Sequence, residues 1–355
     1  MTDAIADNLI SDPRPRLAFL LGDCTGIGPE LVAKILHQRR MAEYARLVVV
    51  GDARVLELGM RDAKVDFPWR RVANTAAEID WTSEVVPLID LGNIDPANFP
   101  QGVASSESGR LTGETLAHAI KMAQCGEIDG ITFAPLNKRA MYDGGWRFPD
   151  EHKMFAHLLG HNGHFSEMNV LDGQWMTRVT SHVSLREAVE QIAPQRIRDA
   201  LRLADTCMRQ AGIESPRIAV AALNPHNGEN GLFGTEEIEI IRPVVEEMAA
   251  KGINCKGPFA SDTVYIKAFA GEYDSVLSMY HDQGQIATKL KGFNRGVTIT
   301  AGLPIVFTTP AHGTAFDIVG KGVADTGATE QAILLAAKMA TRRSITPEPA
   351  AIAAE

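Results

Sequence analysis

The sequence predicts an α/β protein built on a mostly parallel sheet with helices on both faces. Three observations carry that expectation. Short apolar runs of strand length alternate with amphipathic stretches of helix length. Several of those runs are apolar throughout, as a strand covered on both faces must be. The composition, 45% hydrophobic and 22% charged over 355 residues, is that of an ordinary globular protein long enough for two domains or one large one with a divided core.

Taken in order, residues 17–21 read as the first strand, 29–39 as a helix with Pro29 in its first turn, and 47–50 as the second strand. Residues 115–125 read as helix and 130–133 as a strand leading into Ala134-Pro135-Leu136-Asn137-Lys138. Further on, 194–211 and 236–250 have the periodicity of long amphipathic helices, the second with Thr235 as its N-cap. Residues 296–309 hold two β-rich runs around Gly302-Leu303-Pro304, which fits either two strands joined by a turn or a bent connection between domains. No internal repeat is visible. Poorly marked boundaries favour two intimately packed lobes over separate domains on a linker.

A formal net charge of -9 argues against a nucleic-acid surface, which would need a dense basic patch. A small-molecule partner is expected instead. Cys24, Cys125, Cys207 and Cys255 form no C-x-x-C pair, so neither a disulfide framework nor a zinc ribbon is indicated. Residues 1–13 carry Asp3 and Asp7 with no basic residue before Arg14, unlike a secretory signal, and no apolar run approaches the roughly 20 residues of a membrane span. A cytoplasmic location with no membrane partner is expected. Residues 1–13 and 343–355 are expected to be flexible tails.

Three histidines share one structural address: His182, His226 and His281 each follow a short apolar run that reads as a buried strand. Ligands of open α/β sheets gather beyond the carboxyl ends of strands, so three imidazoles there can converge on one metal ion and leave positions free for substrate. Spacing alone equally allows three unrelated loop histidines. The glycine-punctuated turn Gly22-Asp23-Cys24-Thr25-Gly26-Ile27-Gly28-Pro29-Glu30 can cradle an anion, though a merely tight strand-to-helix turn is the simpler reading.

The stretch from His312-Gly313-Thr314-Ala315-Phe316-Asp317 to Asp325 resembles the adenosine-binding loop of the β-decarboxylating dehydrogenases, whose first strand also ends in a turn like Gly22 to Glu30. From Arg16 to about Ala340 the chain resembles the 4-hydroxythreonine-4-phosphate dehydrogenase family. The resemblance rests on that turn, on Leu223-Asn224-Pro225-His226-Asn227-Gly228-Glu229, on Gly257-Pro258 with Asp262-Thr263, on Met279-Tyr280-His281-Asp282-Gln283-Gly284, and on Gly302-Leu303-Pro304 leading to His312. It implies an isocitrate/isopropylmalate dehydrogenase-like fold of two α/β lobes around a central cleft. The expected NAD-binding lobe is 14–138 with 300–342, and the expected metal, substrate and dimerisation lobe is 139–299.

The resemblance further implies that His182, His226 and His281 bind one divalent ion (Zn, Mg, Mn or Co) at a site shared between the subunits of a homodimer. It implies that His312, Gly313, Thr314, Ala315, Asp317 and Asp325 bind NAD, with NADP as the other dinucleotide, and that His152, Asp262 and Lys289 contact an anionic substrate. Asp282 and Lys138 are the catalytic candidates. A lysine buried near a metal can have a lowered pKa and move protons, and the alternative for Lys138 is simple anion binding.

The departures concern substrate. Where the family has threonine, asparagine and arginine, this chain has Lys153, Thr298 and Phe307. Loss of an arginine fork weakens the grip on a phosphate ester. These three positions therefore lead to the expectation of a non-phosphorylated hydroxy acid or an aromatic cis-dihydrodiol carboxylate, oxidised with NAD and metal, with or without decarboxylation. The competing classes are a phosphate acyltransferase on a related fold and a non-catalytic ligand-binding relative.

Overall fold

The computed structural model describes residues 12–345 apart from 74, 77, 78, 82, 293 and 294. The first part of the chain forms β1 (Arg16–Leu20), α1 (Gly28–Gln38), β2 (Arg46–Gly51), α2 (Ala53–Ala63), β3 (Trp69–Val72), β4 (Val86–Asp90), α3 (Ser106–Gln124) and β5 (Gly130–Phe133). Then come α4 (Lys138–Asp143), α5 (Glu151–Leu159), β6 (Ser166–Leu171), β7 (Gln174–Arg178), α6 (Leu185–Glu190), α7 (Pro194–Gln210), β8 (Ile218–Ala221) and α8 (Arg242–Ala250). The last elements are β9 (Cys255–Phe259), α9 (Ser261–Phe269), β10 (Ser275–Ser278), α10 (His281–Gly292), β11 (Val297–Ala301), β12 (Val306–Pro310) and α11 (Gly327–Ile345).

All twelve strands join one sheet in the order β3-β4-β2-β1-β5-β12-β11-β6-β7-β10-β8-β9. The strands from β3 to β12 pair in parallel, as do those from β7 to β9. Between these sectors, β12, β11, β6 and β7 pair antiparallel. Strand alternation divides the core between the faces: Leu17 and Phe19 of β1 pack with residues of α1, α2, α7 and α11, while Ala18 and Leu20 pack with residues of α3 and α5. Mostly parallel strands covered on both faces are what the apolar runs required.

Residues 296–309 resolve as two strands, β11 and β12, paired antiparallel with Val297 opposite Pro310. Helix α3 begins at Ser106, well before the expected 115, because Ser105 caps it by accepting from the Ser108 N–H. Gly109 and Gly113 disguise that first half as a poor helix. Both are needed for close packing, since a Cβ would lie 2.1 Å from the Ala140 carbonyl carbon and 2.0 Å from Trp146 Nε1.

The expected helix 236–250 is not uniform. A π-helical turn at Glu237–Ile241 precedes α8, next to Pro243, which has no N–H to continue the regular ladder. Thr235 contributes its backbone carbonyl to Ile238 and Glu239 in place of a side-chain cap. Helix α11 continues through Ile345, past the tail boundary expected at 343, and the remainder of both expected tails (1–11 and 346–355) lies outside the described residues. Among the described residues no helix is long and apolar enough to cross a membrane.

Candidate active site

The antiparallel switch in mid-sheet positions the site. Because β12 and β7 run in opposite directions, the carboxyl ends of the two parallel sectors reach a shared cavity from opposite sides. Its volume is about 290 Å³ and its floor is the face of β11 and β6. Side chains two apart along a strand share a face, so Thr298 and Thr300 of β11 stand opposite Asn169 and Glu167 of β6. The ends of β5 and β12 contribute Lys138, Thr309, His312 and Gly313; the ends of β7 and β10 contribute His182 and His281. Helix α10 presents Gln285, Thr288, Lys289 and Gly292, which recur at helical spacing on one face.

The His182 and His281 rings lie side by side, with centroids 5.6 Å apart. His182 Nδ1 faces Asp150 Oδ2 at 3.3 Å and His281 Nδ1 faces Asp282 Oδ1 at 2.7 Å. Adjacent strands β7, β10 and β8 do set the three histidines in a row, but His226 does not join the other two. It is exposed, with its ring 6.2 Å from that of Phe233. Among the described residues no group of three ligating side chains forms a metal cluster. The cause is the backbone after Pro225: His226, Asn227, Gly228, Glu229 and Asn230 all have positive φ, a left-handed turn that redirects the loop. Glu237 pins its base by accepting from the N–H groups of Leu223 and Asn224.

Beneath the cavity lies a dense set of charges. Glu167 pairs with buried Arg178 at 2.7 Å and faces His152 Nε2 at 3.4 Å, while His152 Nδ1 contacts Thr300 Oγ1 at 2.6 Å. Burial pushes the Glu167 carboxyl up, but the facing His152 imidazole and the charges of Arg178 and Lys138 outweigh it, holding the group well below the usual carboxylate range. His152 responds in kind: burial lowers its pKa, Glu167 and Glu151 raise it more, and the net shift is upward. Burial would also raise Asp150, yet the His182 contact and the Lys153 N–H hold it at about 2.

Lys138 differs from the expected proton carrier. Its Nζ lies 2.8 Å from Glu151 Oε2, and although burial draws its pKa down, Glu151, Glu167 and Asp150 together raise it above the ordinary lysine value. That direction suits anion binding, the alternative reading of this lysine.

Three of the expected substrate residues stand elsewhere. Phe307 is 1% exposed and stacks on Phe155 with ring centroids 4.3 Å apart, inside the apolar core formed with α3 and α5. Thr309 stands two residues further along the same strand, at its carboxyl end, and there it lines the cavity. Lys153 is exposed on α5, where its N–H serves the Asp150 cap. Asp262 is exposed in the first turn of α9, outside the cavity. His152 lies directly behind the floor.

The loop from His312 to Asp325 folds against α1. Thr314 O accepts from the Ile27 N–H, and Ala315, Ile318 and Val319 pack on Ile27, Leu31 and Ala324. Asp317 is exposed, and Asp325 accepts from Gly327 N–H at the start of α11. Buried Glu30 holds the far end of the loop: its Oε1 accepts from Ala324 N–H at 2.8 Å and pairs with Lys34, whose Nζ also donates to the carbonyls of Gly322 and Ala324. The turn from Gly22 to Glu30 is tight rather than anion-cradling. The N–H groups of Asp23, Thr25, Gly26 and Ile27 are all used within the fold. Glu167, Asn169, Arg178 and Gln285 were not singled out by sequence; the signal available was Glu167 and Asn169 recurring two apart within a strand.

Proteins similar to this chain are named as dehydrogenases. A Pseudomonas aeruginosa protein provisionally named 4-hydroxythreonine-4-phosphate dehydrogenase 2 is 46% identical over 334 residues, covering 93% of this chain and 98% of the relative. The D-threonate 4-phosphate dehydrogenase of Cupriavidus necator is 39% identical over 337 residues, covering 94% of this chain and 100% of the relative. The crystal structure of 4-hydroxythreonine-4-phosphate dehydrogenase from Klebsiella pneumoniae superposes with a TM-score of 0.80 at 37% identity, over 92% of this chain and 98% of that one. Fold and relatives together define an oxidoreductase acting on CH–OH groups. The sequence pattern of the family described as pyridoxal phosphate biosynthetic protein PdxA matches residues 43–336, and the chain belongs to that family.

Proposed function

We propose that the chain oxidises a secondary alcohol of a small phosphorylated hydroxy acid, with NAD (or NADP) as hydride acceptor and one divalent cation (Zn, Mg, Mn or Co) per site. The active form is a homodimer in which each subunit completes the other's metal site. The observation that carries this reading is the cavity itself. It gathers two imidazoles, the cations Lys138 and Lys289, and the His312-Gly313 end of the expected dinucleotide loop around one space of small-molecule size.

The donor set fits a divalent cation. Each of the paired imidazoles turns Nδ1 to a carboxylate, which orients the ring and leaves Nε2 to ligate. Two nitrogens fall short of the three protein ligands usual at a catalytic zinc. Exposed His226 suits delivery to a partner's cavity, and the apolar side chains exposed beside it, Leu232 at 72% and Phe233 at 47%, suit burial against a second copy. Asp262 sits on the helix packed beside the same loop.

A bound cation would lower the pKa of the substrate hydroxyl, whose proton would leave to solvent, and would polarise the developing carbonyl, with the dinucleotide as hydride acceptor. Lys138 and Lys289 hold anionic ends of the substrate as compact point charges. Asp282 and Asp150 fix the His281 and His182 rings. A hydroxyl β to a carboxylate would leave a β-keto acid on oxidation, which accounts for decarboxylation as the following step. An aromatic dihydrodiol loses its support, because the Phe307 ring it relied on belongs to the core.

The test is NADH absorbance with a panel of phosphorylated hydroxy acids and aromatic dihydrodiol carboxylates, alongside His182→Ala and His226→Ala. Each variant should lose bound metal and most turnover. Mixing the two should recover activity, because one site of each mixed dimer regains all three histidines. Full metal content and normal turnover in His226→Ala would refute the site, and no recovery on mixing would refute its sharing.

A further inference from the structure

We infer that the chain holds a second binding site, remote from the catalytic cavity, for a small carboxylate monoanion with an apolar body, gripped by the Arg46 guanidinium at the amino end of β2. The inference does not rest on the dehydrogenase reading, and its test needs no turnover.

A cavity of about 350 Å³, somewhat larger than the catalytic one, opens at the other end of the first parallel sector. Pockets that hold small molecules usually measure about 300–1,000 Å³. Its walls come from the end of α1, the 3-10 turn at Arg40–Glu43, the start of β2, and the segment from Trp81 to Val85 that enters β4. The catalytic cavity lies beyond the carboxyl ends of β5 and β12, which run parallel to β2 through β1. A strand's length, roughly 17–20 Å, therefore separates the two.

Arg46 is the cation this cavity leaves unanswered. Its Nε donates to the Arg14 carbonyl at 3.0 Å and its Cζ lies 5.5 Å from the centroid of the Trp81 ring, so the half-buried guanidinium is held by one edge and one face. Its Nη1 and Nη2 have no acceptor among the described residues. The other two arginines of the lining are spent. Arg14 pairs with Asp12 and donates to the Ala42 carbonyl, and Arg39 pairs with Glu84 and donates to its carbonyl. Asp80, the remaining carboxylate of the lining, is exposed. These pairs leave one open guanidinium fork in the wall.

Two in-plane N–H donors match the two oxygens of a carboxylate, a geometry that a lysine point charge does not offer. One cation with a carboxylate nearby answers a single negative charge, which disfavours a phosphate dianion and so separates this site from one that takes phosphorylated acids. Beyond the fork the wall is aliphatic. Ile35, Leu36, Met41 and Ala45 are each at most 5% exposed and offer contact without donors or acceptors, so an apolar body belongs beside the carboxylate. A neutral amide of the same shape would turn an NH₂ toward one of the two Nη donors and leave it unmatched.

The probe is 2-naphthoate, with 2-naphthamide as its neutral counterpart, titrated calorimetrically into the intact protein and into Arg46→Met, Arg46→Lys and Ala42→Trp. The parent should bind the acid with a Kd below about 1 mM and roughly tenfold to a hundredfold more tightly than the amide, the range of charge-assisted hydrogen bonds. Arg46→Met should reduce the acid to the affinity of the amide, and Arg46→Lys, which keeps the charge without the fork, should not restore it. Ala42→Trp fills the cavity from its exposed rim and should block both compounds, so it carries the test even if the Arg46 variants fold poorly. Excess inorganic phosphate should leave naphthoate bound. Equal affinity for acid and amide, no binding of the acid by about 10 mM, full recovery in Arg46→Lys, or displacement by phosphate overturns the inference. Undiminished binding in Ala42→Trp does so too, because it places the compound in another cavity.

Discussion

Phe307 gives the sharpest test of how the site is divided from the core. The family resemblance implies an arginine at this position, yet Phe307 is 1% exposed and stacked 4.3 Å from Phe155, with Phe133 edge-on to the Phe155 ring. Truncating a buried phenylalanine to alanine costs about 3–5 kcal/mol through lost transfer energy and the cavity left behind. The stacked pair supplies about 0.5–1.5 kcal/mol of that. At roughly 2 °C per kcal/mol for a long chain, Phe307→Ala should lower the thermal midpoint by about 6–10 °C. Its kcat/KM, measured well below the transition, should stay within about threefold of the parent, a difference of less than about 1 kcal/mol. Phe307→Arg should do worse, since a guanidinium cannot shed its charge and an unpaired buried charge costs several kcal/mol. Circular dichroism melts and steady-state NADH kinetics are the assays. If Phe307→Ala melts with the parent while substrate KM changes tenfold, or Phe307→Arg folds normally and turns over phosphate esters faster, the placement of this ring in the core is wrong.

Lys34→Met removes the donors that hold the carbonyls of Gly322 and Ala324, so KM for NAD should rise about tenfold, equivalent to about 1.4 kcal/mol, while kcat changes little. Unchanged NAD kinetics would separate the Glu30–Lys34 clamp from cofactor binding. Asp274 ties the amino end of β10 to that of β8 by accepting from Arg217 N at 2.8 Å and Nη2 at 2.7 Å, and its hydrogen bonds to the Arg217 side chain hold its carboxyl below the ordinary range. A depressed carboxyl stabilises fully above its unfolded pKa of about 3.9 and loses that contribution as pH falls through its folded value. The urea midpoints of parent and Asp274→Asn should therefore differ at pH 7 and converge as pH is lowered toward 3; a gap independent of pH would contradict the linkage.

What could be read from sequence was what local pattern controls. The uniformly apolar runs marked β1, β2, β5, β8 and β10 to within a residue or two, because a strand buried on both faces leaves no room for polar residues. The runs at β8 and β10 also located His226 and His281 beyond strand ends, whereas His182 lies four residues past β7. Pattern could not say which way a side chain turns. Phe307 and Thr309 lie two apart on β12 and one fills the core while the other meets the cavity, a difference set by where the strand's end passes beneath α5 and the loop to Lys138. The Glu167–Arg178 pair was hidden for a related reason. Charged residues inside short strands read as edges until the antiparallel register sets them opposite each other over the cavity floor. The outward turn of His226 was not legible because its loop adopts backbone angles that sequence pattern does not anticipate.

That left-handed turn has a consequence for how the chain can vary. Each non-glycine residue in this region gives up about 1–2 kcal/mol relative to the right-handed form. His226, Asn227, Glu229 and Asn230 together therefore hold the loop at a disadvantage comparable to a sizeable part of a domain's whole folding free energy, about 5–15 kcal/mol. Only glycine and asparagine tolerate such angles readily. Under random mutation this short run should be among the least permissive surface segments of the protein, rejecting valine, isoleucine and threonine although its side chains are largely exposed. Glycine at position 227 or 230 should instead raise the melting temperature. Any ion or neighbouring subunit that grips His226 adds its binding free energy to this same loop, so heat resistance should climb with metal and with protein concentration.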